Sequence, residues 1–189
     1  MRLALRTQVV RALFLVVACV PNLVTVAYAG ETEALSWSVV KKSVRWRFAG
    51  VPQMSVAQLQ RELASASPPL LLDAREAPEF AVSHLRHAVL ATDLSTAQNL
   101  LVHGPKDRHL VIYCSVGWRS SALAAQLMRL GYTQVSNLEG SIFEWANAGL
   151  PVYRADVVVT EVHPYNRQWG TLLRNELRAS LPGDSKAAP

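Results

Sequence analysis

Cysteine is scarce in this 189-residue chain: there are two, Cys19 and Cys114. So few exclude a disulfide framework. Histidine occurs five times, and no pair has metal-ligand spacing with acidic or thiol partners, so no metal site is expected. Internal repeats are absent, and there is no low-complexity segment before the polar end "PGDSKAAP". The formal net charge is +5, a balance that invites a nucleic-acid reading. Three of those charges, however, are Arg2, Arg6 and Arg11, and the chain beyond them carries +2. No electrostatic case for a nucleic-acid partner survives. Apolar residues are plentiful at 50%, enough to bury one core, and the length favours a single domain.

The three arginines precede the apolar stretches "ALFLVVACV" and "LVTVAYAG", and Ala27-Tyr28-Ala29 forms an A-x-A site. This is the layout of a secretory signal over residues 1–29, with the mature chain starting near Gly30 and lying outside the cytoplasm, secreted or periplasmic. An uncleaved anchor over residues 12–29 is the alternative, although Pro21 and Asn22 interrupt it. Another is lipidation at Cys19, whose "VVAC" context resembles a lipobox. After ordinary cleavage no membrane span is expected, and Cys114 is the one thiol left.

A lone cysteine is either an inert core residue or a thiol in use. "HLVIY" (109–113) is a short, β-branched apolar run, expected to be a buried strand of a parallel sheet. "SSALAAQLMRLG" then spaces Leu123, Leu127 and Leu130 as a helix, with Gly131 suited to the position after its end. Cys114 therefore opens a strand-to-helix turn, the place where open α/β sheets bind ligands. Gly117 permits a tight loop whose N–H groups gather at a helix N-terminus, and Arg119 adds a full positive charge. Both effects favour a thiolate, so Cys114 is expected to be a nucleophile.

The same rhythm runs along the chain. "QMSVAQLQRELASA" reads as a helix with a Ser55/Gln58 capping box, "LLLD" (70–73) as a strand, and "AREAPEF" as a short helix with Pro78 in its first turn. "AVLA" (88–91) and "TQVSNL" (133–138) are further strands, and "LSTAQNLLVHG" is a helix between them. "SIFEWANAGLP" reads as a helix with a second capping box, Ser141/Glu144, stopped by Gly149 and Pro151. Alternating strands and helices argue an α/β fold, a central mostly parallel β-sheet with helices on both faces.

"LLLDAREAPEFAVSHL", "VIYCSVGWRSSALAAQLMRLGY" and "VSNLEGSIFEWANAGLPV" together resemble a single rhodanese (sulfurtransferase) domain, over residues 52–153. The resemblance implies that Cys114 takes a sulfane sulfur from a small-molecule donor such as thiosulfate and holds it as a persulfide. A thiol, cyanide or a protein acceptor then removes it, and no cofactor is implied. It further implies a substrate loop of Ser115, Val116, Gly117 and Trp118, closed by a catalytic Arg119. Asp73 corresponds to a loop-anchoring aspartate, Arg75 to an arginine at the substrate entrance, and His84 to a structural histidine. Related cysteine phosphatases carry a loop one residue longer; the C-x4-R spacing here suits sulfur better than phosphate. A non-catalytic sulfur-carrier or protein-docking module is the alternative function. The intact loop favours the enzyme.

Three family positions depart from the usual pattern, Ser83, His87 and Ser141 standing where glycines are common, and Trp118 is bulky for a loop position. The flanks lie outside the resemblance. Residues 30–51 form a basic extension, with Trp37, Val40 and Val44 on one helical face beside Lys41, Lys42, Arg45 and Arg47. These cations either form a solvated face or meet an anionic partner or the membrane surface. Residues 154–189 form a C-terminal extension whose "VTEVHPYNRQWGTLLRNEL" is too aromatic for a linker. Tyr165 and Trp169 are expected to pack on the domain, and His163 is a candidate contributor to the pocket.

Overall fold

The computed structural model describes residues 35–183. The expected export segment 1–29 and the last residues of the polar end lie outside the described residues. Five parallel strands form one sheet: β1 (Gln53–Met54), β2 (Leu70–Asp73), β3 (Val89–Leu90), β4 (Leu110–Tyr113) and β5 (Val135–Leu138), in the order β1-β5-β4-β2-β3. The two central strands, β2 and β4, are apolar along nearly their whole length because both faces of the sheet are covered, whereas β5 carries the polar Ser136 and Asn137. Side chains alternate between the two faces: Leu71, Val111 and Tyr113 enter one core, and Leu72, Leu110, Ile112 and Cys114 the other.

The helices are α1 (Trp37–Arg47), α2 (Val56–Leu63), α3 (Ala77–Val82), α4 (Leu94–Leu101), α5 (Trp118–Arg129) and α6 (Ser141–Asn147). The first core takes Val40 of α1, Leu59 of α2 and Ile142 and Phe143 of α6; the second takes Ala97 and Leu101 of α4 and Leu123 and Leu127 of α5. The expected α/β architecture is therefore present, with helices on both faces. Ser55 and Gln58 close the expected capping box. Gly131, at φ +88°, ends α5 as expected, but Leu130 faces outward at 40% exposure because it already caps the helix.

The second capping box does not form. Gly140 is the N-cap of α6, and Ser141, one residue inside with φ +51°, spends its hydroxyl elsewhere: it accepts the Cys114 N–H at 3.1 Å and donates to the Leu138 carbonyl at 3.0 Å. A buried hydroxyl goes where the unsatisfied donors are.

The described parts of both flanks are folded. Val40 and Val44 of α1 are buried, and Lys41 and Arg45 pair with Glu139, Lys41 also with Glu144. Those two cations thus satisfy acids at the β5–α6 junction. After the sheet, a hairpin of β6 (Val152–Arg154) and β7 (Val157–Val159) precedes a short helix, α7 (Arg167–Gly170). Its two-residue turn, Ala155-Asp156, lacks the Asn-Gly or Asp-Gly pair that advertises a hairpin. The segment beyond is held by Val162 and Ala179, which exchange backbone bonds with Leu177 and Val162, and by Asn147, which binds Leu172 O and Arg174 N. Among the described residues, no helix is long and apolar enough to cross a membrane.

Candidate active site at Cys114

From β2 the chain proceeds toward one edge of the sheet, to β3; from β4 it proceeds the other way, to β5. The crevice between the carboxyl ends of β2 and β4 is thus a topological switch point, the usual ligand position in such sheets. Asp73 ends β2 and Cys114 follows β4, so both stand at this crevice.

The loop from Cys114 to Arg119 is folded by a division of its polar groups. Its carbonyls turn away: Cys114 O and Ser115 O accept the N–H groups of Ile142 and Phe143 at the start of α6. Its donors turn inward: the Gly117 N–H meets Cys114 Sγ at 3.2 Å, and the Ser120 hydroxyl lies 3.4 Å from the same sulfur while donating to Asn137 Oδ1 at 2.6 Å. Gly117 is required here. Its φ is +110°, and a Cβ would stand 3.2 Å from Asn137 Nδ2.

Burial pushes the Cys114 thiol up, but the Arg119 charge, then the Ser120 and Gly117 donors, pull it down further. The net displacement is below the ordinary thiol range, which raises the thiolate fraction at neutral pH.

Glu79 organises the cation and escaped the sequence reading. Its carboxylate takes Arg119 Nη1 at 2.7 Å and Nη2 at 2.8 Å, the Ser115 hydroxyl at 2.9 Å, and the Glu76 N–H at 3.0 Å. Burial raises the Glu79 carboxyl, yet the Arg119 bonds, the Glu76 amide and Ser115 outweigh it and hold it ionised. The one signal in the sequence was Glu79 three residues after Glu76, the spacing of a capping box. That box forms, and it explains the glutamate locally without pointing to an arginine 40 residues on.

Asp73 and Arg75 form a separate cluster beneath. Both side chains are 0% exposed; the Arg75 guanidinium chelates the Asp73 carboxylate at 2.6–3.1 Å and donates to Ser83 O at 2.6 Å. Asp73 Oδ1 also accepts the Arg75 N–H at 3.0 Å. The Tyr113 hydroxyl, pushed well above its usual range by burial and then by Asp73, stays neutral and accepts the Leu85 N–H. The expected place of Arg75 at the substrate entrance is corrected accordingly: its charge is spent on Asp73 and solvent does not reach it. His84 is structural in this arrangement, with Nδ1 bonded to Leu85 O and its ring stacked on Phe80 at 4.2 Å.

Above the sulfur is a pocket of about 130 Å³ lined by Cys114, Ser115, Val116, Trp118, Arg119, Tyr165 and Trp169. The C-terminal flank supplies two of its lining residues, and the N-terminal flank supports a third from outside. Trp118, 44% exposed, is braced edge-on by Phe48 at 5.5 Å, and the Tyr165 ring lies 4.9 Å from the Arg119 guanidinium. His163 does not line the pocket; its Nδ1 accepts the Tyr165 N–H at 3.1 Å, within the turn where Tyr165 takes φ +64°. Burial and the charges of Arg75 and Arg119 lower the His163 pKa against the pull of Glu79, consistent with an accepting, neutral imidazole. A larger cavity, about 540 Å³, is lined by Leu63, Leu85, Trp145 and Tyr153 among others and contains no thiol, so size does not mark the site. No cluster of potential metal ligands occurs among the described residues.

Arg119→Ala should raise the Cys114 pKa, because the largest lowering influence is lost while burial remains. Iodoacetamide alkylation followed against pH is expected to show a higher midpoint, and the rate near pH 6 should fall in proportion to the thiolate lost, roughly tenfold where the midpoint rises by about one pH unit. An unmoved midpoint would remove Arg119 from the activation of the thiol.

The family model described as the rhodanese-like domain matches residues 55–148. A sulfurtransferase of Allochromatium vinosum is 37% identical over 102 residues, covering 54% of this chain and 94% of that protein. The mitochondrial protein HIGH ARSENIC CONTENT 1 of Arabidopsis thaliana is 32% identical over 89 residues, and the match spans only 53% of its length. Among solved structures, thiosulfate sulfurtransferase from Pseudomonas aeruginosa aligns with a TM-score of 0.54 at 16% identity, over 63% of this chain and 23% of that one. The BH2092 protein of Bacillus halodurans aligns equally well, TM-score 0.54 at 16% identity, over 70% and 97%. At such identities the structural matches speak for the fold.

Proposed function

Because this chain belongs to the rhodanese-like domain family, we propose that it is a sulfurtransferase in which Cys114 carries the sulfur as a persulfide. The observation that carries the reading is the Gly117 N–H aimed at Cys114 Sγ at 3.2 Å, on the floor of a pocket. Cys114 is only 1% exposed. A second sulfur, about 2.05 Å beyond Sγ, extends the reactive atom toward the pocket, where an acceptor can meet it.

In the first half-reaction the Cys114 thiolate attacks the outer sulfur of the donor; the donor's S–S bond breaks and its leaving group departs with the electron pair. With thiosulfate the products are the Cys114 persulfide anion and sulfite. The loop N–H groups and Arg119 stabilise the charge on the transferred sulfur. In the second half, cyanide or a thiol attacks that outer sulfur and restores the thiolate. Glu79 acts through Arg119 and Ser115, holding both against the loop.

The test is thiosulfate-dependent thiocyanate production, with the intact mass read before and after donor. A gain of one sulfur atom together with turnover is expected. Failure of every sulfane-sulfur donor to load Cys114 in a folded protein would overturn the reading.

A further inference from the structure

Two of the seven residues lining the pocket, Tyr165 and Trp169, come from beyond the family match at 55–148. With Trp118 they surround the approach to Cys114 with three aromatic side chains. The segment that delivers them is firmly built: Asn166 caps α7 through the Trp169 N–H at 2.9 Å, and Leu172 and Leu173 are buried in the core. Gly170 lies so close that a Cβ there would stand 2.9 Å from Pro164 Cβ.

The positive charge in this pocket is already engaged. Arg119 is the only cation among the residues lining it; both of its terminal nitrogens bind Glu79, one also meets Ser115, and Tyr165 covers the guanidinium. A dianion seeking the loop would meet the Cys114 thiolate, an arginine whose charge is already shared between Glu79 and that thiolate, and three aromatic side chains, with the loop N–H groups left as its donors. An apolar group gains by burial in the same place. The size is informative too: a cavity of roughly 150 Å³ holds benzene, close to the volume found here.

We infer that the pocket takes an organic sulfane-sulfur donor, its transferable sulfur borne on an apolar group about one ring in size, in preference to thiosulfate. The inference rests on the sulfur-transfer reading and specifies its substrate class. For an organic persulfide, the thiolate of Cys114 attacks the outer sulfur of R–S–SH, the S–S bond breaks, and R–S⁻ leaves while Cys114 keeps the sulfur and its proton. No oxidant or reductant is needed. Tyr165 and Trp169 are specificity-determining residues in this scheme, and His163 and Gly170 position them.

The probes are benzenethiosulfonate, methanethiosulfonate and thiosulfate, each with cyanide as acceptor and each rate normalised to its reaction with cyanide alone. The first two are monoanions differing in the apolar group; the third is a dianion. The expected kcat/KM for benzenethiosulfonate exceeds that for methanethiosulfonate at least tenfold, and both exceed that for thiosulfate. Trp169→Ala should cut the benzene-to-methane ratio about tenfold, mainly through KM, with Trp169→Phe recovering most of it; Gly170→Val, which displaces α7 without touching a lining residue, should cut it as well. Thiosulfate as the preferred donor, or a ratio that none of these variants moves, would overturn the inference while leaving sulfur transfer standing. Absence of loading by all three donors would bring down the sulfur-transfer reading itself.

Discussion

A Cys114→Ser protein is expected to produce no thiocyanate above background, a loss on the order of 10³-fold or more, while folding as before. The hydroxyl that replaces the thiol is not ionised at neutral pH, and an alkoxide cannot be reached by the modest lowering that Arg119 and the loop donors provide. Folding should survive, because serine is nearly isosteric with cysteine and finds the Gly117 N–H and the Ser120 hydroxyl already at hand. A stability change of about 1 kcal/mol is the expected scale. Intact mass after donor, read beside denaturation curves, separates the two effects. Sulfur gained by the serine variant, or turnover close to that of the parent, would mean that another group carries the sulfur.

Asp73→Ala is expected to be the most destabilising single change at the site, by about 3–5 kcal/mol. Arg75 would then hold a positive charge with no exposure to water and only the Ser83 carbonyl as a hydrogen-bond partner. The loss should spread to the site, because the Asp73 and Arg75 cluster fixes the segment from Ala74 to Ser83 that carries Glu79. The double variant Asp73→Ala with Arg75→Met provides the control. Removing both charges eliminates the uncompensated ion, and most of the lost stability should return. Urea denaturation of the two proteins measures it. If the single variant lost less than about 1 kcal/mol, the pair would be behaving as an exposed one.

Much of the fold was legible in the sequence, for a local reason. Apolar runs such as Leu110–Tyr113 must be buried on both faces, and a helix pattern following each run leaves a parallel sheet as the way to cover them. Gly117 and Arg119 after the strand announced the thiol loop, since a positive φ and a nearby cation are properties of residue type and spacing. Where the reading went astray, the partner that the folded backbone supplied decided, whether distant in sequence or close by. Ser141 had the spacing of a cap but was claimed by the Cys114 amide, 27 residues away, and Arg75 had the look of an entrance residue but was closed in by Asp73 and Ser83.

What the sequence determined by itself was therefore the sheet, the place of Cys114 at the head of a strand-to-helix turn and the loop around it, all of which follow from periodicity, turn chemistry and the position of one thiol. Tertiary structure alone decided who surrounds that thiol. It brought Glu79 onto Arg119, Phe48 onto Trp118, and Tyr165 and Trp169 to the mouth of the pocket. Hydrogen bonding and apolar burial between distant segments depend on where the folded backbone delivers them, and no local pattern records that delivery.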